Sequence, residues 1–332
     1  MELLGSLRDA LAQNRRAVLW AAGIGLAAAA SLGVAWGYCR KPRTAIRVGV
    51  VSQLVVYPLK SGKGLQVHGS QCLHTGLKHG ELRDRHWLVI SEDGHQVTGR
   101  QQPRLVLVSM TSDEDKGQVC LNAPGMAELR FPVRQPENRI ANCRVWSDDI
   151  QGRDCGEEAS AWITCYLACD QTFRLVQFEP KMKARKPVEK FPFFLHNDTV
   201  AYPDVGAIML MSESSLRDLN TRLESEVTMA WFRPSVVVAD CEAYAEDSWD
   251  EIQIGEVRLR RAMACSRCIF TTVNPATGVI TREEPLETLK SYRMCDPSER
   301  HIYRTSPLFG QYFSVRKTGT LQVGDPVYKM TY

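Results

Sequence analysis

The sequence lacks a strong excess of charge of either sign. Its 41 Lys and Arg residues are nearly balanced by 38 Asp and Glu residues, so the net charge is +3 at pH 7. It also lacks any tract in which Lys and Arg alternate with aromatic residues, the pattern by which nucleic-acid-binding surfaces are recognised. Nucleic acid is therefore set aside as a partner.

Several catalytic motifs are also missing. No Ser-His-Asp order and no paired-carboxylate motif stands out, so hydrolase functions receive little support. The chain has no dinucleotide-binding fingerprint and no cysteine array for an iron–sulfur cluster. Any redox function would therefore need electrons that arrive from another protein.

Charge is absent from one long stretch near the N-terminus, residues 17–38. Twenty-two helical residues would extend about 33 Å, enough to cross a hydrocarbon layer of about 30 Å. Trp20, Trp36 and Tyr38 lie near its ends, where interfacial aromatics are expected. We predict a transmembrane signal-anchor at 17–38 between an N-terminal segment (1–16) and a linker (39–45). A cleaved signal peptide is the alternative, although the run exceeds the usual apolar region of about 7–15 residues.

The cysteines indicate the compartment. Eleven of them are spread irregularly along the 332 residues, an odd number in a chain large enough to fold without disulfides. This pattern favours a reducing environment, so we expect the body of the protein to face the cytosol. Basic residues flank both ends of the apolar stretch, so the positive-inside rule does not decide its orientation.

The remainder of the chain is predicted to be rich in β-structure. Apolar alternation on both sides of Gly255-Glu256 predicts a hairpin, and the spacing over 157–167 predicts an amphipathic helix. A second helix is expected at about 212–223, and further strands at 47–57, 105–110, 312–315 and 321–328. The fold class is α+β with a barrel-like core. We divide it into an N-terminal domain at 46–179, a basic connection at 180–190 and a C-terminal domain at 191–332.

The segment with the clearest chemistry contains Cys265 and Cys268. A structural zinc site needs a second Cys or His pair, which the chain does not offer. A thioredoxin-like dithiol would need a helix after its first cysteine, whereas the β-branched and aromatic residues 269–273 predict a strand. The remaining interpretation is one reactive thiolate and one structural thiol, with Arg267 nearby to lower a pKa or to hold an anion.

Three other segments could bind an anion. Residues 60–64 (KSGKG) follow a predicted strand and offer two ammonium groups, a hydroxyl and backbone N–H groups, although the Walker spacing is absent. Arg85 and Arg233 provide guanidinium groups suited to bidentate contacts with phosphate or a pterin. Each of these segments alone is more often part of a surface salt bridge than of a binding site.

Together these segments resemble the MOSC-domain molybdenum proteins, and most of all the mitochondrial amidoxime-reducing components of vertebrates. The resemblance covers residues 46–332. It rests on YPLKSGKG (57–64), LRDR (82–85), GRDC (152–155), FRP (232–234), MACSRCIFTT (263–272), CDPSER (295–300) and VGDPV (323–327).

The resemblance implies a MOSC-type β-barrel, an N-terminal MOSC-associated β/α subdomain and a molybdopterin cofactor. It further implies that Cys268 is the molybdenum ligand and catalytic residue. Lys60, Ser61, Arg85 and Arg233 would hold the pterin and its phosphate, and Ser266, Arg267 and Tyr312 would line the cofactor. One departure is Ser235, where the family has asparagine after Arg-Pro: a serine can donate one hydrogen bond but lacks the two-ended amide.

The function implied is reduction of N-hydroxylated compounds, with electrons from NADH through cytochrome b5 reductase and cytochrome b5. The expected location is the mitochondrial outer membrane, with the peroxisomal membrane left open. The basic connection, with Lys183, Arg185 and Lys186, is a hypothetical docking face for an acidic cytochrome b5. Two alternatives remain: a membrane-tethered cofactor carrier without turnover, and a thiol redox protein that uses Cys265 and Cys268.

Overall fold

Residues 44–331 are described by the computed structural model. The predicted N-terminal segment and anchor, and the linker up to residue 43, lie outside the described residues. Within residues 44–331, no helix is long and apolar enough to span a bilayer. The strands are β1 Thr44–Val56, β2 Leu65–Val67, β3 Gly69–Leu73, β4 Gly76–His79, β5 Leu82–Arg83, β6 Trp87–Ser91, β7 Gln96–Val97, β8 Ser109–Asp113, β9 Gln118–Asn122, β10 Leu129–Pro132, β11 Ile140–Val145, β12 Asp148–Asp154, β13 Phe173–Gln177, β14 Ile208–Ser212, β15 Val236–Ala239, β16 Glu251–Ile254, β17 Val257–Ser266, β18 Leu308–Lys317, β19 Gly319–Gln322 and β20 Pro326–Thr331. The helices are α1 Glu157–Leu167, α2 Glu213–Asn220, α3 Leu286–Tyr292 and α4 Arg300–Tyr303.

A closed seven-stranded barrel forms the core of the C-terminal half. Its order is β15-β14-β18-β17-β16-β20-β1, and β1 pairs with β15 to close it. The predicted hairpin is confirmed, since Ile254 pairs with Val257 across the two-residue turn. The barrel interior is filled by alternating apolar residues such as Leu54, Ile252 and Phe313, all fully buried. The predicted β-barrel is therefore confirmed.

The N-terminal part of the described chain contributes strand β1 to this barrel and also forms sheets of its own. β1 begins the described chain yet closes the barrel of the C-terminal half, and residues 46–330 form one compact unit. A five-stranded sheet, β11-β12-β13-β6-β7, accompanies α1. That helix is confirmed at its predicted bounds, and its Trp162, Ile163 and Tyr166 are buried in the apolar core beside this sheet. The domain boundaries remain a prediction.

Residues 269–273 do not form the predicted strand. Ile269–Thr272 is a single 3-10 turn that follows the end of β17. The hydroxyls of Thr271 and Thr272 donate to the carbonyls three residues earlier, at 2.8 and 2.7 Å. Threonine side chains that bond to nearby backbone in this way compete with strand pairing, and here the local bonds prevail. The strand expected at 105–110 is likewise replaced in part by a 3-10 turn at Pro103–Leu107.

The basic connection is less exposed than the sequence suggested. Lys183 and Lys186 are exposed, but Arg185 is buried. Its Nη2 lies 2.7 Å from the Asp148 carboxylate, and its Nη1 donates to the carbonyl of Pro203 at 2.7 Å. The hypothesis that Arg185 belongs to a docking face is therefore wrong, because its guanidinium already anchors the connection to the protein body.

We expect Arg185→Ala to lower the free energy of unfolding by about 3 kcal/mol, since it leaves a buried carbonyl and part of a carboxylate without a donor. Lys190→Ala is the matched control, because Lys190 contacts the same Asp148 at 2.8 Å from a half-exposed position and should cost less than about 1 kcal/mol. Urea unfolding of both variants measures the difference. Equal losses would contradict the anchoring role.

Candidate active site

One cleft brings together every residue that the sequence singled out for the site. It is lined by Lys60, Ser61, Arg85, Arg233, Ser266, Arg267, Cys268 and Tyr312, together with other side chains. Lys60 and Ser61 follow the end of β1, Arg233 precedes β15, and Cys268 follows the end of β17. Because β1 runs antiparallel to β15, the end of one strand meets the beginning of the other at the cleft. The placement of these residues is observed, whereas their roles towards a cofactor stay predictions.

Several cationic side chains line the cleft, and one of them, Arg233, has an N–H group without a hydrogen-bond partner among the described residues. Arg233 is 9% exposed, and its Nη1 donates to the carbonyl of Gly62 at 2.5 Å. Its Nη2 is buried and has no partner among the described residues. Burial, together with the neighbouring Arg85, lowers the pKa of Arg233 to about 10. A buried guanidinium with an unused N–H group favours an anion in the cleft.

Three of the predicted cofactor residues hold an unusual backbone conformation. Ser61, Arg85 and Arg233 have backbone φ angles of 66°, 50° and 59°, which residues other than glycine rarely adopt. Backbone bonds fix them in place: the Arg85 N–H donates to the carbonyl of Tyr57 at 2.6 Å, and the Arg233 N–H donates to that of Met229 at 3.1 Å. Such conformations persist where the surroundings over-determine them, and they concentrate at binding sites.

Asp204 is a cleft residue that the sequence reasoning missed. Its carboxylate pairs with Lys60, accepts from Arg100 at 2.9 Å and accepts from the Trp146 indole at 3.0 Å. Burial acts to raise the pKa of Asp204, but Lys60 and Arg100 hold it well below the usual value. The only sequence signal was a carboxylate directly after Pro203, which indicates a turn and not a partner of Lys60.

The two cysteines of the Cys-x-x-Cys segment both line the cleft but differ in burial. Cys268 is half-buried in the cleft, where its extended backbone precedes the 3-10 turn. Cys265 is 3% exposed and packs with Met209, Phe232 and Phe309 in an apolar cluster. Both thiols are free, and the assignment of Cys265 as the structural thiol stays a prediction.

The chain is similar to known proteins over nearly its whole length. The MOSC N-terminal beta barrel domain family matches residues 48–170, and the MOSC domain family matches residues 197–328. A protein of Danio rerio named mitochondrial amidoxime-reducing component 1 is 54% identical over the full length of both chains. The chain belongs to the mitochondrial amidoxime-reducing component family. Component 2 of Bos taurus is 56% identical over 89% of this chain and 88% of its own, and component 1 of Homo sapiens is 51% identical over 96% and 95%.

In this amidoxime-reducing component family member, Arg267 lines the cleft but is bonded mainly to the protein. Its Nε donates to the carbonyl of Phe309 at 2.7 Å, and its Nη1 donates to that of Phe232 at 3.0 Å. These bonds hold the segment between Cys265 and Cys268 against the backbone at Phe309 and Phe232. Ser266 is exposed beside it, and Tyr312 reaches the cleft half-buried from β18.

Ser235, the departure from the family pattern, is fully buried and does not line the cleft. Its hydroxyl has no partner among residues 44–331, while its N–H donates to the carbonyl of Met209 at 2.8 Å. Nothing in its surroundings explains the serine.

The cleft fits an anionic metal cofactor better than a bare metal ion. Among residues 44–331, no group of three or more His, Cys, Asp or Glu side chains is placed to hold a metal. Cys268 could supply one thiolate, the soft ligand that molybdenum in a pterin dithiolene would share. The unpartnered Nη2 of Arg233 and the buried ammonium of Lys60 match a phosphate group. The residues present therefore fit the molybdenum cofactor.

Anion binding in the cleft is expected to weaken about tenfold as the pH rises through about 8. Burial lowers the pKa of Lys60 to about 8, with Asp204 opposing the shift, so the ammonium loses its proton there and can no longer hold an anion. Sulfate binding to the cofactor-free chain between about pH 7 and pH 9 measures this, because the charge of sulfate is constant over that range.

Two variants test the assignment to Lys60. In Asp204→Asn the midpoint should move to lower pH, because the carboxylate that raises the pKa of Lys60 is lost. In Lys60→Met the pH dependence should disappear. An unchanged midpoint in both variants would show that another group titrates.

Proposed function

We propose that the chain is a molybdenum-cofactor-dependent reductase of N-hydroxylated compounds, namely amidoximes, hydroxylamines and hydroxamic acids. The observation that carries the proposal is the half-buried Cys268 thiol in a cleft whose buried Arg233 has an unpartnered N–H group. The names of the curated relatives support the amidoxime class. The reaction balances as an N–OH group plus two electrons and two protons, which gives an N–H group and water.

The cofactor, when bound, supplies the two-electron chemistry that accepts the oxygen of the N–OH group. The protein's part is to bind and to orient. Lys60, Ser61, Arg85 and Arg233 would hold the phosphate and the pterin, and Cys268 would supply the single protein ligand. Tyr312, whose pKa is raised well above its ordinary value by burial and by its contact with Cys265, stays a neutral phenol at the edge of the cleft.

Electrons would arrive from NADH through cytochrome b5 reductase and cytochrome b5, since the chain lacks a dinucleotide fingerprint. The relatives are named mitochondrial, which supports a mitochondrial location. The apolar stretch at 17–38 would anchor the chain in the outer membrane with its catalytic part facing the cytosol.

Charge reversal of the exposed connection tests the docking face. Because Arg185 is structural, only Lys183→Glu and Lys186→Glu are combined. We expect electron transfer from reduced cytochrome b5 to slow about tenfold at low salt and to lose much of its salt dependence, since exposed charges steer association. Lys116→Glu, an exposed change elsewhere, is the control. Retention of the wild-type salt dependence would place the docking face on another surface.

Metal analysis and turnover of the full chain test the proposed function together. About one molybdenum per chain would exclude a plain dithiol protein, and a chain without molybdenum would refute the proposal. Reduction of benzamidoxime to benzamidine by reconstituted cytochrome b5, its reductase and NADH would distinguish an enzyme from a cofactor carrier. A chain that holds molybdenum but shows no turnover would favour the carrier.

A further inference from the structure

A second cavity lies beside the cleft and has no role in the proposed reaction. It has a volume of about 350 Å³, within the range of small-molecule sites, and opens at the surface; we call it the side cavity. The cleft and the side cavity share three side chains, Trp231, Arg233 and Phe270. The rest of its lining is mostly apolar and includes Val55, Tyr57, Val106, Met229, Val273 and Pro275.

The walls of the side cavity are held in place before any ligand arrives. The Arg233 guanidinium stacks on the Tyr57 ring, 4.2 Å from its centroid, and faces the Phe270 ring at 5.6 Å. A glycine lies in close contact with each ring. A Cβ at Gly64 would lie 2.6 Å from the Tyr57 ring, and one at Gly99 would lie 2.2 Å from the Phe270 ring. Fixed aromatic walls favour binding of an apolar group, because little side-chain freedom is lost when it enters.

The polar groups of the side cavity have one sign of charge. Lys63 and Arg233 line it, and no carboxylate is found among its lining residues in the described part of the chain. The Lys63 side chain is exposed and has no ion-pair partner among residues 44–331, although its backbone N–H donates to the carbonyl of Val108 at 2.8 Å. Gln53, Gln66 and Thr228 add neutral hydrogen-bonding groups. An unpaired cation at the edge of an apolar cavity complements an amphipathic anion.

We infer that the side cavity is a binding site for a small amphipathic monoanion, with an aryl or alkyl group among the apolar side chains and a carboxylate at Lys63. The site adjoins the cofactor cleft and shares Arg233 with it, but Lys63, Ala230 and Ala276 line the side cavity alone. It does not depend on the proposed function, since none of these three residues would touch the cofactor.

A matched pair of probes tests the chemistry of the ligand. Titration calorimetry of the full chain should show 4-phenylbutyrate binding at one site, with the uncharged 4-phenylbutanol several-fold weaker. Lys63→Met should weaken 4-phenylbutyrate about three- to tenfold and leave 4-phenylbutanol unchanged, as expected for one charge-assisted contact at an exposed position. Lys317→Met, another exposed lysine, should change neither affinity.

Blocking variants test the location. Ala230→Trp and Ala276→Trp place a large side chain at two exposed positions of the side cavity, and each should reduce the affinity for both probes at least tenfold. The proposal is overturned if wild-type chain does not bind 4-phenylbutyrate at millimolar concentration. It is also overturned if neither blocking variant alters binding, which would place the anion in the cofactor cleft, or if both probes bind equally.

Discussion

Replacing Cys268 by alanine is expected to abolish benzamidoxime reduction by the full chain and to lower its molybdenum content only in part. The thiolate would be the one ligand that the protein supplies, whereas the dithiolene would keep the metal on a cofactor that Lys60, Arg85 and Arg233 would still hold. The fold should not change, because the Cys268 side chain is only half-buried. Molybdenum per chain and the rate of turnover are measured on the same preparation.

Cys265→Ala is the matched control for this experiment. Cys265 is buried in an apolar cluster, so its replacement should cost about 1 kcal/mol of unfolding free energy while molybdenum and turnover remain. The thiol redox alternative predicts that both variants are inactive. Retained turnover in Cys268→Ala would refute the ligand assignment, and loss of turnover in Cys265→Ala alone would exchange the two roles.

Local patterns predicted those parts of the fold in which the residues themselves determine the structure. The hairpin at Gly255-Glu256 follows from alternation and a turn, and α1 follows from its apolar spacing. The turn after Cys268 could not be predicted, because strand propensity was overruled by hydroxyl groups that bond to the local backbone. Closure of the barrel by β1 depends on pairings across most of the chain, which local patterns do not encode.

Local sequence patterns likewise did not predict which residues meet in the cleft. Lys60, Arg85, Arg233 and Cys268 lie far apart in sequence, and none of them alone predicts a binding site. Resemblance to a family brought them together, and the cleft confirms their proximity. Asp204 was missed because its partnership with Lys60 exists only after the loop after β1 meets the loop before β14. Arg185 was misjudged because a basic run does not reveal that one member is buried and pairs with the half-buried carboxylate of Asp148.

Replacing Arg233 by methionine is expected to have opposite effects on the empty and the loaded protein. In the cofactor-free chain, burial and Arg85 disfavour the Arg233 cation, a cost of about 3 kcal/mol that the variant no longer carries. Loss of the bond to Gly62 offsets this gain, so the melting temperature should change by less than about 4 °C. Cofactor affinity should fall about a hundredfold, because a charged donor to the phosphate or pterin disappears.

Arg267→Met is the contrasting variant, because it tests a cation that serves the fold. Its removal leaves the carbonyls of Phe309 and Phe232 without their donor, which should lower the unfolding free energy of the cofactor-free chain by about 2–4 kcal/mol. Thermal unfolding of both variants, from cells that cannot make the cofactor and from cells that can, separates the two roles. If Arg233→Met destabilises the empty chain as much as Arg267→Met does, Arg233 is structural and its unpartnered N–H group is no evidence for a bound anion. If only the loaded chain is affected, the cost of burying Arg233 is offset by the ligand it binds.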